Sequence, residues 1–136
     1  MPTLLCVPIT VTDPSPALRD ARQAKDLGAD LVEFRLDDFF HGEESQIAPI
    51  VRLISDSPLP CIATCRISSE GGHYDGPEDA RVSLFERLGT AFGKGEHPPR
   101  FIDVEHYAYS RSANIRQKFK LTIKHPKQIH NLQTSL

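Results

Sequence analysis

The sequence lacks a long apolar segment, because no run approaches the roughly 20 residues that a membrane-spanning helix needs. Its first residues, MPTLLCVPIT, show neither the charged region nor the small-residue cleavage site of a secretory signal peptide. An excess of positive charge is missing too: the formal net charge is −2, and a mild basic cluster over residues 111–127 is typical of a solvated helix face. We therefore expect a cytoplasmic protein that binds neither membranes nor nucleic acid.

Cysteine is scarce, and its placement argues against cross-linking and metal binding. The three cysteines, Cys6, Cys61 and Cys65, are an odd number and lie in apolar, strand-like segments, which is typical of reduced buried thiols. Cys61 and Cys65 lie near His73 in the sequence, but strand residues four apart are about 13 Å from each other, too far to share one ion. We expect no disulfide and no metal.

Strand-like and helix-like segments alternate four times along the chain, about 30 residues apart, which predicts right-handed βα units and a parallel sheet. Hydrophobic content is 39%, as in one globular unit. The predicted strands are LLCVPI, ADLVEFRLD, CIATCR and FIDVE. Four helices are predicted. The first begins near Asp13 or Ser15 with Leu18, Ala21 and Leu27 on its inner face, and the second covers Ile47 to Ile54 and includes Val51. The third runs from Glu78 to Phe92, and the fourth from Ser112 to Pro126. A fifth strand is expected to begin in LQTSL.

No glycine occurs in PITVTDPSP, directly after the first predicted strand. A dinucleotide-binding sheet usually has a glycine-rich phosphate turn at that point, so this fold is disfavoured. The other repeating βα architecture is the eight-stranded barrel, which typically needs about 250 residues. We therefore predict an α/β fold of parallel βα repeats, the first half of a (β/α)8 TIM barrel. Residues 1–136 would form a single partial domain with four βα units and the start of a fifth strand, without the carboxyl-terminal half.

Charged residues stand at the predicted strand ends, where a barrel enzyme performs its chemistry. They occur two apart and therefore share a face: Glu33 with Arg35, Thr64 with Arg66, and Asp103 with Glu105. Because burying an unpaired ion costs several kcal/mol, these groups must pair with one another or with a ligand. An arginine fork can hold a carboxylate and Glu33 can accept hydroxyl protons, which indicates a small hydroxylated acid as substrate.

Glu70 lies beyond the third strand, in SSEGGHYDG, where Gly71 and Gly72 allow a tight turn close to a ligand. A carboxylate there could orient a histidine or help to move a proton. The structural alternative is an ion pair between Arg66 and Glu70 that anchors the loop, with the other charges forming a satisfied polar plug. Spacing alone leaves both interpretations open.

Three segments at these positions resemble the amino-terminal half of type I 3-dehydroquinate dehydratase: EFRLD (Glu33 to Asp37), TCRISSEGG (Thr64 to Gly72) and FIDVE (Phe101 to Glu105). The resemblance implies a barrel that dehydrates 3-dehydroquinate to 3-dehydroshikimate in the shikimate pathway of aromatic amino acid biosynthesis, through a lysine Schiff base and without metal or cofactor. It implies that Glu33, Arg35 and Arg66 bind substrate and that Glu70 works with the catalytic histidine. A homodimer is one assembly that it suggests.

The sequence departs from the family pattern in two places. A serine that contacts substrate in some members corresponds to Pro8, which has neither hydroxyl nor N–H. The resemblance places the catalytic histidine after strand five and the lysine on strand six. His130 stands in a similar HN motif, but Pro126 and two lysines precede it where a buried strand is expected, so we expect the histidine beyond Leu136.

The lysines near the end of the chain, on or just after the fourth predicted helix, would stay solvated and protonated. These are Lys118, Lys120, Lys124 and Lys127. We therefore expect the chain by itself to bind substrate weakly and not to turn it over. Two alternatives remain: a non-catalytic ligand-binding or regulatory half-barrel, whose exposed fourth strand would need a partner, and another Schiff-base barrel lyase.

Overall fold

The computed structural model describes residues 3–105 and the backbone of residues 129–133. In this part of the chain, five parallel strands form one sheet in the order β1-β2-β3-β4-β5. The strands are β1 (Cys6–Thr10), β2 (Leu31–Arg35), β3 (Cys61–Thr64), β4 (Phe101–Glu105) and β5 (Ile129–Gln133). Helices α1 (Pro14–Asp26), α2 (Ile47–Asp56) and α3 (Glu78–Thr90) connect the first four strands. Two single-turn 3₁₀ helices, Glu44–Gln46 and Ser68–Glu70, lie in the connections.

The hydrophobic core lies between the helices and one face of the sheet. The strand register places Phe34 beside Ala63 and Ala63 beside Ile102, and all three are buried. Because side chains alternate between the two faces of a strand, the residues between them, such as Glu33 and Arg35, face the other side. The same alternation that fills the core therefore presents the charged side chains on the opposite face.

Helix α1 begins after Asp13, as predicted, but its buried face differs from the predicted one. Ala17, Ala21 and Ala24 are buried, whereas Leu27 is 78% exposed. The helix ends at Asp26, and Gly28 continues the chain at a φ of +98°, a conformation that glycine adopts without strain. Leu27 therefore lies past the last turn, where the helical spacing no longer sets its direction.

Helix α2 follows the predicted pattern closely. Ile47, Ile50 and Ile54 are buried, and Leu53 completes the buried face in place of Val51, which is half-buried. Helix α3 ends two residues before Phe92, which is half-buried in the connection that follows. These differences of one or two residues at helix ends are typical of periodicity-based predictions.

The fifth strand begins at Ile129 and pairs in parallel with β4, earlier than the LQTSL segment in which we expected it. The prediction that the fourth strand forms an exposed edge is therefore wrong, because β5 covers it. The fourth helix, expected from Ser112 to Pro126, lies outside the described residues. Among the helices of the described segments, none combines the length and the apolar character needed to cross a membrane.

Strand β1 forms the other edge of the described sheet. The Val11 N–H donates to the Arg35 carbonyl at 2.9 Å, so alternate residues of this strand direct their N–H groups toward β2. Pro8 is out of phase with Val11, and its nitrogen faces the edge. A proline is tolerated there because no ladder hydrogen bond is lost.

Candidate functional site

The carboxyl ends of β2, β3 and β4 bring polar side chains into one row. The strand register places Arg35 beside Thr64 and Thr64 beside Asp103, and Glu33 precedes Arg35 by two positions on the same face. Parallel strands align these ends at a single edge of the sheet, where barrel enzymes place their active sites. Arg35, Thr64 and Asp103 are grouped as predicted from the sequence, whereas the Glu105 carboxylate pairs with Arg81 of α3.

Two hydrogen-bonded pairs join neighbouring strands within this row. The Thr64 hydroxyl donates to Glu33 Oε2 at 2.7 Å, and Arg66 Nη2 donates to Asp103 Oδ2 at 3.2 Å. The Arg66–Asp103 ion pair is well shielded, since the side chains are 19% and 9% exposed. Within residues 3–105, the Arg35 guanidinium makes no hydrogen bond or ion pair, so its donors are available to a ligand.

Asp103 has a raised affinity for its proton. Burial raises the pKa of its carboxyl to about 6, although the positive charge of Arg66 acts in the opposite direction. Glu33 and Glu105 raise the pKa further, and Arg35 lowers it slightly. Arg66, Glu33, Glu105 and Arg35 all affect the Asp103 carboxyl, in keeping with the strand register that places these strand ends side by side.

This pKa predicts a specific pH dependence of stability. The unfolded-state pKa of an aspartate is about 3.9, so the folded protein binds this proton more tightly, and the free energy of unfolding falls as pH rises from about 4 to about 6. We expect Asp103→Asn to remove about 2 kcal/mol of that decline, whatever its effect on absolute stability. Urea unfolding of both proteins between pH 4 and pH 7 measures the difference. Equal slopes for the two proteins would contradict the raised pKa.

Glu70 lies in the connection between β3 and α3, in residues 66–74, which we call the Glu70 loop. Its N–H donates to the Ile67 carbonyl at 3.0 Å in the single 3₁₀ turn, and Gly71 follows at a φ of +83°. Within residues 3–105, the Glu70 carboxylate makes no hydrogen bond or ion pair. The ion pair between Arg66 and Glu70 is therefore not formed, and the Glu70 carboxylate is available to act on another group.

The Glu70 loop folds back tightly on its own first residue. A Cβ atom at Gly72 would lie 2.1 Å from the Arg66 carbonyl oxygen, so no larger residue fits without moving the backbone. Glycine at position 72 therefore allows the end of the loop to approach the Arg66 carbonyl at its start. This is the close approach for which the GG pair in the sequence is suited.

Arg81 of α3 is an important residue that the sequence analysis missed. Its side chain is 1% exposed, and its Nη1 lies 2.6 Å from Glu105 Oε2 and 2.9 Å from the Cys65 carbonyl oxygen. Nη2 also lies 2.6 Å from Glu78. Burial lowers the pKa of Arg81, but hydrogen bonds to Glu78 and the charge of Glu105 outweigh this effect and raise it.

The pairing with Arg81 also gives Glu105 a role within the fold. Its Oε1 accepts the Ile67 N–H at 3.1 Å, which ties β4 to the Glu70 loop. A signal for Arg81 existed in the sequence, because it is spaced three, four and seven residues before Leu84, Phe85 and Leu88 on the buried face of α3. An arginine in such a position needs a buried partner.

The cysteines are free, as predicted, and Cys61 and Cys65 are buried. Burial raises the pKa of Cys61 to about 12, which keeps its thiol neutral. Within the described residues, these cysteines form no metal-binding group with His73. Ligand atoms of Asp37, Asp38 and His73 do lie within 4.8 Å of one another, but all three side chains already have hydrogen-bond partners in the fold.

Comparisons with known proteins agree with this architecture. A family model described as type I 3-dehydroquinase matches residues 5–134. The 3-dehydroquinate dehydratase of Methanothermobacter thermautotrophicus is 39% identical over 84 residues, which are 62% of this chain and 37% of that protein. The chloroplastic bifunctional 3-dehydroquinate dehydratase/shikimate dehydrogenase of Arabidopsis thaliana is 36% identical over 104 residues, which are 76% of this chain and 16% of that protein.

Solved structures show the same fold. The 3-dehydroquinate dehydratase of Enterococcus faecalis superimposes with a TM-score of 0.67 at 24% identity, covering 89% of this chain and 50% of that one. The 3-dehydroquinate dehydratase of Geobacillus kaustophilus HTA426 superimposes with a TM-score of 0.66 at 20% identity, covering 90% of this chain and 47% of that one. The predicted fold class, the first half of a TIM barrel, is confirmed, and the chain spans about half the length of these solved relatives. With the family match extending over nearly all of its residues, the chain belongs to the type I 3-dehydroquinase family.

Proposed function

We propose that this chain forms part of a 3-dehydroquinate dehydratase and supplies one side of its substrate site. The observation that carries the proposal is the row of charge at the ends of β2, β3 and β4, in a chain of this family. Arg66 is held by Asp103, Glu33 is held by Thr64, and Arg35 is left with its donors available. A hydroxylated carboxylic acid matches these donors and acceptors.

Each side chain has a distinct role in this proposal. Arg35 and Arg66 bind the carboxylate of 3-dehydroquinate, and Glu33 accepts a hydrogen bond from a substrate hydroxyl. Dehydration breaks a C–H bond next to the carbonyl and the C–O bond of the neighbouring hydroxyl carbon, and it forms a C=C bond and water. Glu70 orients the histidine that moves the proton. A lysine amine that condenses with the carbonyl would release water and form a Schiff base, whose protonated C=N bond would accept the electrons of the broken C–H bond.

The described lysines do not fit the role of Schiff-base nucleophile. Lys25 lies in the last turn of α1, and Lys94 lies in the connection that enters β4; both are exposed. Each position is near the amino ends of the strands, opposite the charged row. Lys118, Lys120, Lys124 and Lys127 lie outside the described residues. None of the described lysines is therefore assigned as the Schiff-base nucleophile.

The position of the catalytic histidine also stays a prediction. The backbone of His130 lies in β5, which pairs with β4 beside the charged row. Strand β5 contains His130, so Pro126 precedes the strand and does not exclude His130 from it. A histidine beyond Leu136 is the alternative. A cytoplasmic location and a homodimer likewise remain predictions.

Glu70→Gln tests the proposal directly in the protein as it is expressed from its gene. In the protein that carries this chain together with a Schiff-base lysine, we expect the wild type to convert 3-dehydroquinate to a conjugated enone, which ultraviolet absorbance detects. Because Glu70 acts in proton transfer, the variant should lose about 10²- to 10⁴-fold in kcat with a smaller change in KM. Asp75→Asn is the matched control, since Asp75 is an exposed carboxylate one residue after the Glu70 loop.

The outcomes separate the proposed function from its alternatives. No enone from the wild-type protein would contradict the dehydratase. Borohydride reduction that traps a different carbonyl substrate would then identify another Schiff-base lyase, whereas binding without any trapped adduct would favour a non-catalytic module. An active wild type with an equally active Glu70→Gln variant would remove the role of Glu70 alone.

A further inference from the structure

We propose that Asp37 is a positioning residue that fixes the Glu70 loop against strand β2. The inference rests on the proposed function, because it concerns how Glu70 is held relative to Glu33 and Arg35. Asp37 is the last residue of the EFRLD segment and has none of the roles assigned above. Its side chain contacts the backbone of the loop.

Asp37 binds both ends of the Glu70 loop through the backbone. It is 2% exposed, its Oδ2 accepts the His73 N–H at 2.9 Å, and its Oδ1 lies 3.5 Å from the Arg66 nitrogen, at the long limit of a hydrogen bond. A carboxylate that accepts backbone N–H groups forms charge-assisted bonds, which are stronger than those between neutral groups. One buried side chain therefore contacts the start and the end of the loop.

The loop between these two contacts is closed on itself. The Tyr74 N–H donates to the Arg66 carbonyl at 3.1 Å, and the Gly72 N–H donates to the Ile67 carbonyl at 3.0 Å. Together with the close approach of Gly72 to Arg66, these bonds make residues 66–74 a compact unit. Because the loop is compact, the contacts at its ends fix where Glu70 is placed.

Asp37 is itself well placed to fix that unit. The residue before it, Leu36, is fully buried and donates its N–H to the Thr64 carbonyl at 2.7 Å, which joins the end of β2 to the end of β3. Glu105 holds the other side of the loop through the Ile67 N–H. Asp37 therefore transmits the position of β2, which carries Glu33 and Arg35, to the loop that carries Glu70.

The neighbouring residue Asp38 provides a matched control. Its Oδ1 contacts the same residue, His73, at 2.6 Å, but through the imidazole Nδ1 and not through the backbone. The side chains of His73 and Asp38 are 69% and 30% exposed. Removing Asp38 therefore deletes an adjacent carboxylate and a contact to His73 while leaving the backbone of the loop in place.

The first test measures loop order without substrate, by amide hydrogen exchange of the protein as expressed from its gene. We expect Asp37→Ala to speed exchange at the His73 amide at least tenfold, the equivalent of losing one charge-assisted hydrogen bond. Asp37→Asn, which keeps the shape and one acceptor oxygen, should give a smaller increase. Asp38→Asn should leave the His73 amide unchanged, and the Ile54 amide in α2 should be unchanged in all variants.

The second test uses 3-dehydroquinate and separates positioning from general stability. With the loop displaced, Glu70 is misplaced for proton transfer, so Asp37→Ala should lower kcat about 10- to 100-fold while KM changes less, and Asp37→Asn should recover part of the loss. Asp38→Asn should keep wild-type kcat.

Three results would overturn the inference: unchanged His73 exchange in Asp37→Ala, an equal loss of kcat in Asp38→Asn, or wild-type kcat in a variant whose loop exchanges rapidly. Inactivity of the wild type would instead contradict the proposed function. In that case the exchange data would show that Asp37 orders the loop, and its catalytic positioning role would fall with the function.

Discussion

Arg66→Ala is expected to weaken the binding of 3-dehydroquinate about 100-fold or more, a loss of roughly 3 kcal/mol. The guanidinium is held by Asp103 in a mostly buried position, so it faces the ligand without needing to be reordered. Its removal deletes charge-assisted hydrogen bonds to the substrate and leaves Asp103 without its partner. Arg66→Lys should recover only part of the affinity, because an ammonium group lacks the planar fork.

Titration calorimetry in the Glu70→Gln background, where turnover is slowed, measures this effect, with Arg52→Ala as the control. Arg52 also forms an ion pair, with Asp56 at 3.3 Å, but it is 82% exposed and lies on α2, away from the strand ends. We expect the control to bind with the affinity of the Glu70→Gln protein. Equal affinities with and without Arg66→Ala in this background would show that the site lies elsewhere.

Arg81→Met is expected to lower the free energy of unfolding by about 3–5 kcal/mol, the largest stability effect that we predict. The variant leaves Glu105 buried without a countercharge and the Cys65 carbonyl without its donor. The double variant Arg81→Met/Glu105→Gln should be less destabilised than the sum of the two single variants, because no uncompensated charge remains. Urea unfolding at pH 7 measures all four corners of this cycle.

Arg87→Met is the matched control for burial. Arg87 lies on the same helix and pairs with Glu44 at 2.6 Å, the same distance as the Arg81–Glu105 pair. The side chains of Arg87 and Glu44 are 47% and 72% exposed, whereas those of Arg81 and Glu105 are 1% and 4% exposed. Exposed pairs contribute about 0–1 kcal/mol, so we expect a small effect. Similar losses of unfolding free energy in Arg81→Met and Arg87→Met would show that burial does not make the Arg81–Glu105 pair contribute more to stability than an exposed pair.

Much of the fold was predictable because it depends on local patterns. The apolar runs of β2 and β4 and the spacing of Ile47, Ile50 and Ile54 set the elements directly, and the alternation of strands with helices predicted the parallel sheet. The errors lie where a single residue ends an element. Leu27 continues the helical spacing but lies past the end of α1, and β5 begins before the residues that we assigned to it.

The site was predictable to the extent that it depends on strand ends. Residues two apart on one strand share a face, and the carboxyl ends of parallel strands share an edge of the sheet. The sequence therefore predicted that Arg35, Thr64 and Asp103 lie close together, as they do. Contacts that depend on the path of a loop could not be predicted in this way. The Asp37 bond to His73 spans 36 residues and the Arg81 bond to Glu105 spans 24, and neither follows from a repeating pattern.

The central claim is that the charged ends of β2, β3 and β4 form a binding site for 3-dehydroquinate. It is tested most directly by nuclear magnetic resonance of the ¹⁵N-labelled Glu70→Gln variant, in which turnover is slowed, following the arginine side-chain N–H signals while 3-dehydroquinate is added. We predict that the signals of Arg35 and Arg66 shift together with the backbone amide at position 70 and give one dissociation constant, while the Arg52 signal stays in place. Saturable binding that leaves the Arg35 and Arg66 signals unmoved would contradict the account.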